Sequence, residues 1–321
     1  MSPKASVSSL GTGLMGRKMA VRLVQQGHPV TAWNRDPAKS ALLAPHGCHV
    51  AQTAADAVQR SQVVLLMLAD AAAIHQVLLE DAATRATLPG KSVLMMSTIG
   101  PSESKQLAGE LAAAGVELYV EAPVLGSQPE AEAGTLQIMA ACDSDPTTST
   151  AWPVLRALGQ EPRLLGRVGS AAAVKLALNQ LIAAETLAFC SSLGLVQRSG
   201  ADVAHFMDIL RGSALYAPTF DKKLAKYLSR DFGTANFPTK FAAFLLPRCS
   251  QHLLKDVRLF CNEAESQGLA TSMQRATEAL CIETCARTQE GSSAGLRLAD
   301  ADYSAVYEAA VFPQRPTQAA P

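Results

Sequence analysis

A chain of 321 residues, 48% hydrophobic and 17% charged, can bury a large core, and its length suits two domains rather than one. Lys plus Arg and Asp plus Glu both number 28, so the formal charge of zero argues against a nucleic-acid partner or a membrane surface. Seven cysteines, at 48, 142, 190, 249, 261, 281 and 285, form no C-x-x-C pair, and the six histidines are scattered; no metal is expected.

Through the first half, short apolar runs alternate with helical patterns, which predicts a parallel sheet with crossover helices. Residues 7–10 read as a strand, 17–26 as a helix and 28–34 as a second strand. The first strand is the weak one, because Ser6, Ser8 and Ser9 stand where a central strand needs apolar side chains. V-V-L-L-M-L at 63–68 and S-V-L-M-M-S at 92–97 read as fully buried strands, and 117–122 and 136–141 as further ones. G-R-V-G at 166–169 marks a boundary. The expected fold class is α/β: a Rossmann-type dinucleotide-binding domain at 1–166, then an all-α domain at 167–321. The second domain reads as helical to about residue 288, followed by a polar loop at 289–293 and a frayed tail at 314–321.

The stretch 169–198 has the length of a membrane span but carries Lys175, Asn179, Gln180 and Glu185, so it reads as a core helix with no membrane involved. It offers more apolar face than one small domain can cover, which predicts a homodimer or homotetramer. The cysteines read as reduced structural thiols, and M-S-P-K-A-S-V-S-S-L at 1–10 has no apolar signal-peptide core; a cytoplasmic location is expected.

Gly11, Thr12, Gly13, Leu14, Met15 and Gly16 spell G-T-G-L-M-G between the first strand and an amphipathic helix. Gly11 permits the tight turn, Gly13 lets the backbone approach a pyrophosphate, and Gly16 allows close helix packing. The helix start then supplies amide donors to the phosphates. At the end of the second strand, W-N-R-D at 33–36 puts Asn34 and Arg35 where an acid would select a ribose 2′-hydroxyl. A guanidinium forks onto phosphate instead, so NADP(H) is favoured over NAD(H). Asp36 either pairs with Arg35 or caps a helix beginning at Pro37.

Lys175 and Asn179, at i and i+4, project from one helix face. An amine held among Ala, Leu and Val loses solvation, its pKa falls, and it can trade a proton near neutral pH. A nucleotide site followed by such a lysine points to redox chemistry with a lysine proton donor.

Together these pieces resemble the β-hydroxyacid dehydrogenase family, in its glyoxylate/succinic semialdehyde reductase branch, over nearly the whole chain. G-T-G-L-M-G-R-K-M-A at 11–20 resembles the family's glycine signature, and M-S-T-I-G-P at 96–101 the segment whose threonine, here Thr98, lies beside the nicotinamide. The resemblance places Leu68 in the cofactor site as well. E-A-P-V-L-G-S at 121–127 with A-E-A-G-T-L at 131–136 is similar to the substrate loop, implying Leu125, Gly126 and Ser127 beside the substrate. G-R-V-G-S-A-A-A-V-K-L-A-L-N at 166–179 resembles the catalytic motif, with Lys175 the catalytic lysine and Asn179 its companion. L-L-K-D-V-R-L at 253–259 implies Lys255 for the cofactor and Asp256 for the substrate; Phe237, in F-P-T-K at 237–240, flanks the site. D-Y-S-A-V-Y at 302–307 is similar to the family's C-terminal end.

The resemblance implies NADPH-dependent reduction of a small carboxylate-bearing aldehyde to its hydroxy acid, with glyoxylate or succinic semialdehyde as substrates. Two alternatives stay open: oxidation of a β-hydroxy acid in the manner of 3-hydroxyisobutyrate dehydrogenase, and a catalytically impaired member serving as a scaffold. Three departures bear on the choice. Leu125 replaces a serine whose hydroxyl helps bind the carboxylate, leaving the amides of Gly126 and Ser127 as anion donors. Ala171 stands where a second glycine is common. An extra segment at 241–251, F-A-A-F-L-L-P-R-C-S-Q, separates two motifs, and Pro247 would break a helix joining them; the segment is expected to disturb that half of the pocket.

Overall fold

Six short strands lie side by side, every neighbour parallel: β1 (Val7–Leu10), β2 (Val30–Trp33), β3 (His49–Val50), β4 (Val63–Leu66), β5 (Ser92–Met95) and β6 (Leu118–Glu121), in the order β3-β2-β1-β4-β5-β6. The computed structural model from which they are described covers residues 4–232, 249–287 and 302–312. The crossovers contain α1 (Leu14–Gln25), α2 (Pro37–Ala41), α3 (Ala54–Gln59), α4 (Ala71–His75), α5 (Ala82–Arg85) and α6 (Pro101–Ala113). Alternation along the strands builds one core on each face of the sheet. Val7, Ala32, Leu65 and Leu94 belong to one core, and Leu10, Val64, Leu66 and Val93 to the other.

β1 is central and fully buried in spite of its serines. Ser8 is accommodated by a polar partner, since the Ser61 hydroxyl donates to its Oγ at 3.0 Å. Ser9 is not: its buried Oγ has no hydrogen-bond partner. The strands expected at 28–34, 63–68 and 92–97 end sooner, at Trp33, Leu66 and Met95. Just past those ends Met67 N still donates to Leu10 O at 2.9 Å and Met96 N to Leu66 O at 3.1 Å, and at the carboxyl edge of the sheet the Leu68 amide donates to Ser97 Oγ at 2.8 Å. Helix α1 starts earlier than expected, at Leu14, because Gly13 already serves as its N-cap.

Beyond β6, a small sheet of β7 (Val124–Leu125), β8 (Gln137–Ala140) and β9 (Arg163–Leu164) packs with α7 (Gln128–Ala133) and α8 (Trp152–Leu158). The chain divides into two compact units, Met1–Leu176 and Ala177–Pro321, and the division falls inside the 29-residue helix α9 (Ser170–Arg198).

The second unit continues with α10 (Val203–Arg211), α11 (Pro218–Ser229), α12 (Cys249–Ser266), α13 (Ser272–Ala286) and α14 (Val306–Val311). Phe189 stacks on Phe220 at its centre, with ring centroids 4.5 Å apart. The D-Y-S-A-V-Y motif has a physical role here. Lys223 Nζ donates to both Asp302 oxygens at 2.8 and 2.9 Å, and Lys226 Nζ stands 3.3 Å from the second. All three side chains are buried. Burial pushes the Asp302 carboxyl up, but Lys223, the Ser304 amide and Lys226 outweigh it and hold the group below the usual carboxylate range. Glu308 accepts from Arg230 through both carboxylate oxygens, at 2.7 and 2.6 Å, and so holds Arg230 in the left-handed region at φ 52°. Of the extra segment at 241–251, residues 241–248 lie outside the described residues, as do Phe237, the loop at 289–293 and the tail at 314–321; residues 249–251 open α12.

Candidate active site

The carboxyl ends of β1, β2, β4 and β5 lead directly into Gly11, Asn34, Met67 and Met96, so the sheet's register gathers these segments along one edge. Ligands bind at this edge where the strand order reverses, here between β1 and β4. The three glycines have different reasons to be there. A Cβ on Gly11, whose φ is +94°, would lie 2.2 Å from Met67 O, and one on Gly16 would lie 2.0 Å from Gly11 O. Both are required by the chain's packing on itself. A Cβ on Gly13 would meet nothing within 4 Å, so the packing does not require a glycine there and the space over the backbone is open. No side chain caps α1, which leaves the first-turn amides of Leu14, Met15 and Gly16 to an outside acceptor.

Thr12 is 2% exposed, and its Oγ1 accepts from Asn34 Nδ2 at 3.0 Å while Asn34 Oδ1 accepts from the Asp36 amide at 3.1 Å. Asn34 is thereby pinned. Asp36 takes the capping role, accepting from Ala38 N at 3.1 Å. Arg35 is exposed and makes no ion pair among the described residues. An open glycine turn, uncapped amides and an uncommitted guanidinium fit a phosphate-bearing dinucleotide. Leu68 and Thr98 follow β4 and β5 on the same edge, both half-buried.

In the loop after β7, Gly126 has φ +137°, and a Cβ there would lie 2.8 Å from Leu136 Cδ2, so only glycine fits. Leu125 is half-buried and Gly126 exposed. Ser127 differs from the sequence reading, which left its amide to an external anion. Its N–H and its hydroxyl both donate to Glu130 Oε2, each at 2.7 Å, in a capping box that opens α7.

Lys175 sits in the second turn of α9 and is half-buried, less enclosed than its apolar neighbours suggested; Val174 beside it is 39% exposed. An apolar helix buries only the faces that meet a partner, and sequence alone does not say which those are. Just before Lys175 the helix is anchored by Glu121, which is 1% exposed. It accepts from the amides of Gly169 at 2.6 Å, Ala171 at 3.1 Å and Ala172 at 3.3 Å. Ala171 replaces a glycine harmlessly, because it is used through its amide. In the second unit, Asn179 Nδ2 donates to Asp256 Oδ2 at 2.6 Å. Since a carboxylate only accepts, this bond fixes which end of the Asn179 amide is which, and Oδ1 is left as its acceptor. Lys255 Nζ lies 3.0 Å from Asp256 Oδ1, an ion pair too poorly aligned to count as a hydrogen bond.

Glu121 and Glu130 are the site residues that the sequence reading missed. S-x-x-E at 127–130 was a visible capping-box signal. Glu121 left a fainter one, a charge closing the otherwise apolar run L-Y-V-E at 118–121.

Residues 6–169 match the NAD binding domain of 6-phosphogluconate dehydrogenase, and residues 169–308 the NAD-binding domain of NADP-dependent 3-hydroxyisobutyrate dehydrogenase. Glyoxylate/succinic semialdehyde reductase 1 of Arabidopsis thaliana is 30% identical over 95% of this chain and 98% of its own length. The chloroplastic reductase 2 of the same plant is 30% identical over 95% of this chain and 79% of its own. Among solved structures, 3-hydroxyisobutyrate dehydrogenase of Mycobacterium tuberculosis with L-serine has the same fold, with a TM-score of 0.76 at 22% identity over 95% of this chain and 98% of that one. Matches to both halves, in the order the fold requires, define an NAD(P)-dependent oxidoreductase acting on hydroxyacid or aldehyde groups. The chain belongs to the β-hydroxyacid dehydrogenase family, in the branch of the glyoxylate/succinic semialdehyde reductases.

Proposed function

We propose that the protein is an NADPH-dependent reductase of small aldehyde acids, converting glyoxylate or succinic semialdehyde to the hydroxy acid. The observation that carries this reading is the Asn179 amide, locked by Asp256 at 2.6 Å one helical turn after Lys175, with its oxygen left as an acceptor. In this reading Asn179 holds the substrate hydroxyl or orients the lysine amine. When bound, NADPH supplies the hydride that adds to the carbonyl carbon. Lys175 gives its proton to the carbonyl oxygen as charge develops there, is left neutral, and regains a proton from solvent. The exposed amide of Gly126 receives the substrate carboxylate, and the Gly11–Gly16 turn holds the cofactor phosphates. Arg35 favours the 2′-phosphate of NADP(H) over NAD(H).

The proposal includes a homodimer or homotetramer. Leu195, Ile209 and Leu215 of the helical unit are 71, 75 and 79% exposed, apolar side chains that a second copy would cover. It also places the protein in the cytoplasm. Burial pushes the thiols of Cys48 to about 11 and of Cys190 and Cys281 to about 12, which suits structural cysteines in a reducing compartment.

The test is NADPH oxidation with glyoxylate, succinic semialdehyde and methylmalonate semialdehyde, set against NAD reduction by 3-hydroxyisobutyrate. Turnover of the first two aldehydes is expected. Activity only in the oxidative direction would replace the reading with the dehydrogenase alternative.

A further inference from the structure

We infer that Glu121 is a positioning residue for the proton donor: a buried carboxylate, fixed on the sheet, that sets where helix α9 begins and hence where Lys175 stands. The inference rests on the reading of Lys175 as the donor. Glu121 cannot shift on its own. Its backbone pairs opposite Met95 of β5 on one side. On the other, it exchanges two hydrogen bonds with Ala141, at 2.9 and 3.0 Å. From this anchored backbone the side chain crosses to the helix start and uses both oxygens, Oε1 for Gly169 and Oε2 for Ala171 and Ala172. The first turn of α9 thus takes its cap from a residue 48 positions earlier in the chain.

A third element closes the arrangement. Gly169 has φ +100°, a left-handed conformation that strains any residue with a Cβ, so glycine lets the chain turn into the helix there, beside the flexible end of Lys105 on α6. Lys175 follows Ala172 by three residues, less than one turn, and a hydrogen-bonded turn is stiff. A displaced or frayed first turn therefore carries the lysine with it. The carboxylate also keeps a negative charge at the positive end of the helix dipole, next to the turn that holds the ammonium.

The test compares Glu121→Gln and Glu121→Asp with the wild-type chain in kcat, KM, NADPH affinity and amide exchange over residues 169–176. Thr84→Ala, at a buried site elsewhere in the same unit, serves as a control for simple destabilisation. Glu121→Gln should lower kcat by about 10–100-fold, as expected for a misplaced catalytic group, with KM and NADPH affinity within about twofold. Exchange at 169, 171 and 172 should speed up by about tenfold or more, since Gln replaces one of the two acceptor oxygens with an NH2 that can only donate. Glu121→Asp keeps the charge and should recover part of kcat; it also decides the matter if the Gln variant does not fold. Unchanged kcat beside faster exchange, in either variant, would reduce Glu121 to a structural cap. So would a kcat loss no greater than that of Thr84→Ala. Wild-type exchange rates in Glu121→Gln would refute the hold on the helix itself. A wild-type protein inactive on every aldehyde acid would overturn the proposed function, whatever the exchange shows.

Discussion

The two units place their important side chains by different means. In the first, strand register puts Gly13, Asn34, Leu68 and Thr98 on one edge of the sheet, and the backbone fixes their positions. In the second, the described residues form helices and turns, and position depends on single side-chain pairs between distant parts of the chain. Asn179 is held by Asp256, 77 residues on; Lys223 by Asp302, 79 on; Arg230 by Glu308, 78 on. A site set by backbone register tolerates the loss of one side chain, whereas a site set by pairs loses its geometry with one atom. Helix α9 runs from the first unit into the second.

The sharpest test of the proposed chemistry lies on that helix. Lys175→Ala should cut kcat by about 10²–10⁴-fold, the worth of a general acid, with NADPH affinity little changed because the cofactor edge is built on the sheet. Near wild-type turnover in this variant would remove Lys175 from the mechanism.

Next in size is Asp302→Asn, which leaves two buried lysines facing a neutral amide. Breaking a buried pair costs about 3–5 kcal/mol, read from urea unfolding. A loss under about 1 kcal/mol, the worth of an exposed pair, would break the contrast drawn between the units. The same carboxylate gives a pH signature. Its folded pKa is depressed, so its contribution is present above the unfolded value of about 3.9 and is lost as pH falls through the folded one. Wild-type stability should therefore drop below about pH 4, and Asp302→Asn should lack that part of the drop.

Arg35→Ala should weaken NADPH binding by about 1.5–3 kcal/mol, the scale of a charged hydrogen bond, and leave NADH nearly unaffected. Equal losses for both cofactors in a binding titration would show that Arg35 does not read the 2′-phosphate. The smallest effect is expected at Ser9. Ser9→Ala removes a buried hydroxyl without a partner and should raise stability by about 1 kcal/mol with kcat unchanged. A destabilised variant would mean that β1 depends on that hydroxyl.

The glycine turn was legible because each of its residues answers to a neighbour close in sequence: a strand before, a helix after, and Asn34 and Arg35 one crossover later. The four-residue spacing of Lys175 and Asn179 put both on one helix, and α9 does contain them. The two-residue strands β3, β7 and β9 are too short to carry a period, so none of the three was legible. Glu121 was missed because its three amides lie about 50 residues away, where no local pattern points back to it. The ion pairs that hold Asp302 and Glu308 have the same character. Their partners, Lys223, Lys226 and Arg230, were ordinary surface-type residues in the sequence, and only the fold buries the two lysines.

The buried C-terminal motif also affects the order in which the molecule can be made. Tyr307 is 1% exposed, with its ring centroid 5.4 Å from that of Tyr227 and 6.4 Å from that of Phe232, so the helical core includes residues translated after nearly everything they touch. On the ribosome, the sheet of the first unit has all its strands once residue 121 has emerged, and it can fold while synthesis continues. The helical core must wait, with Phe232 and the Lys223–Lys226 pair uncovered, until α14 arrives. During that interval the nascent protein is half folded and half sticky, and chaperones have most reason to bind the second half.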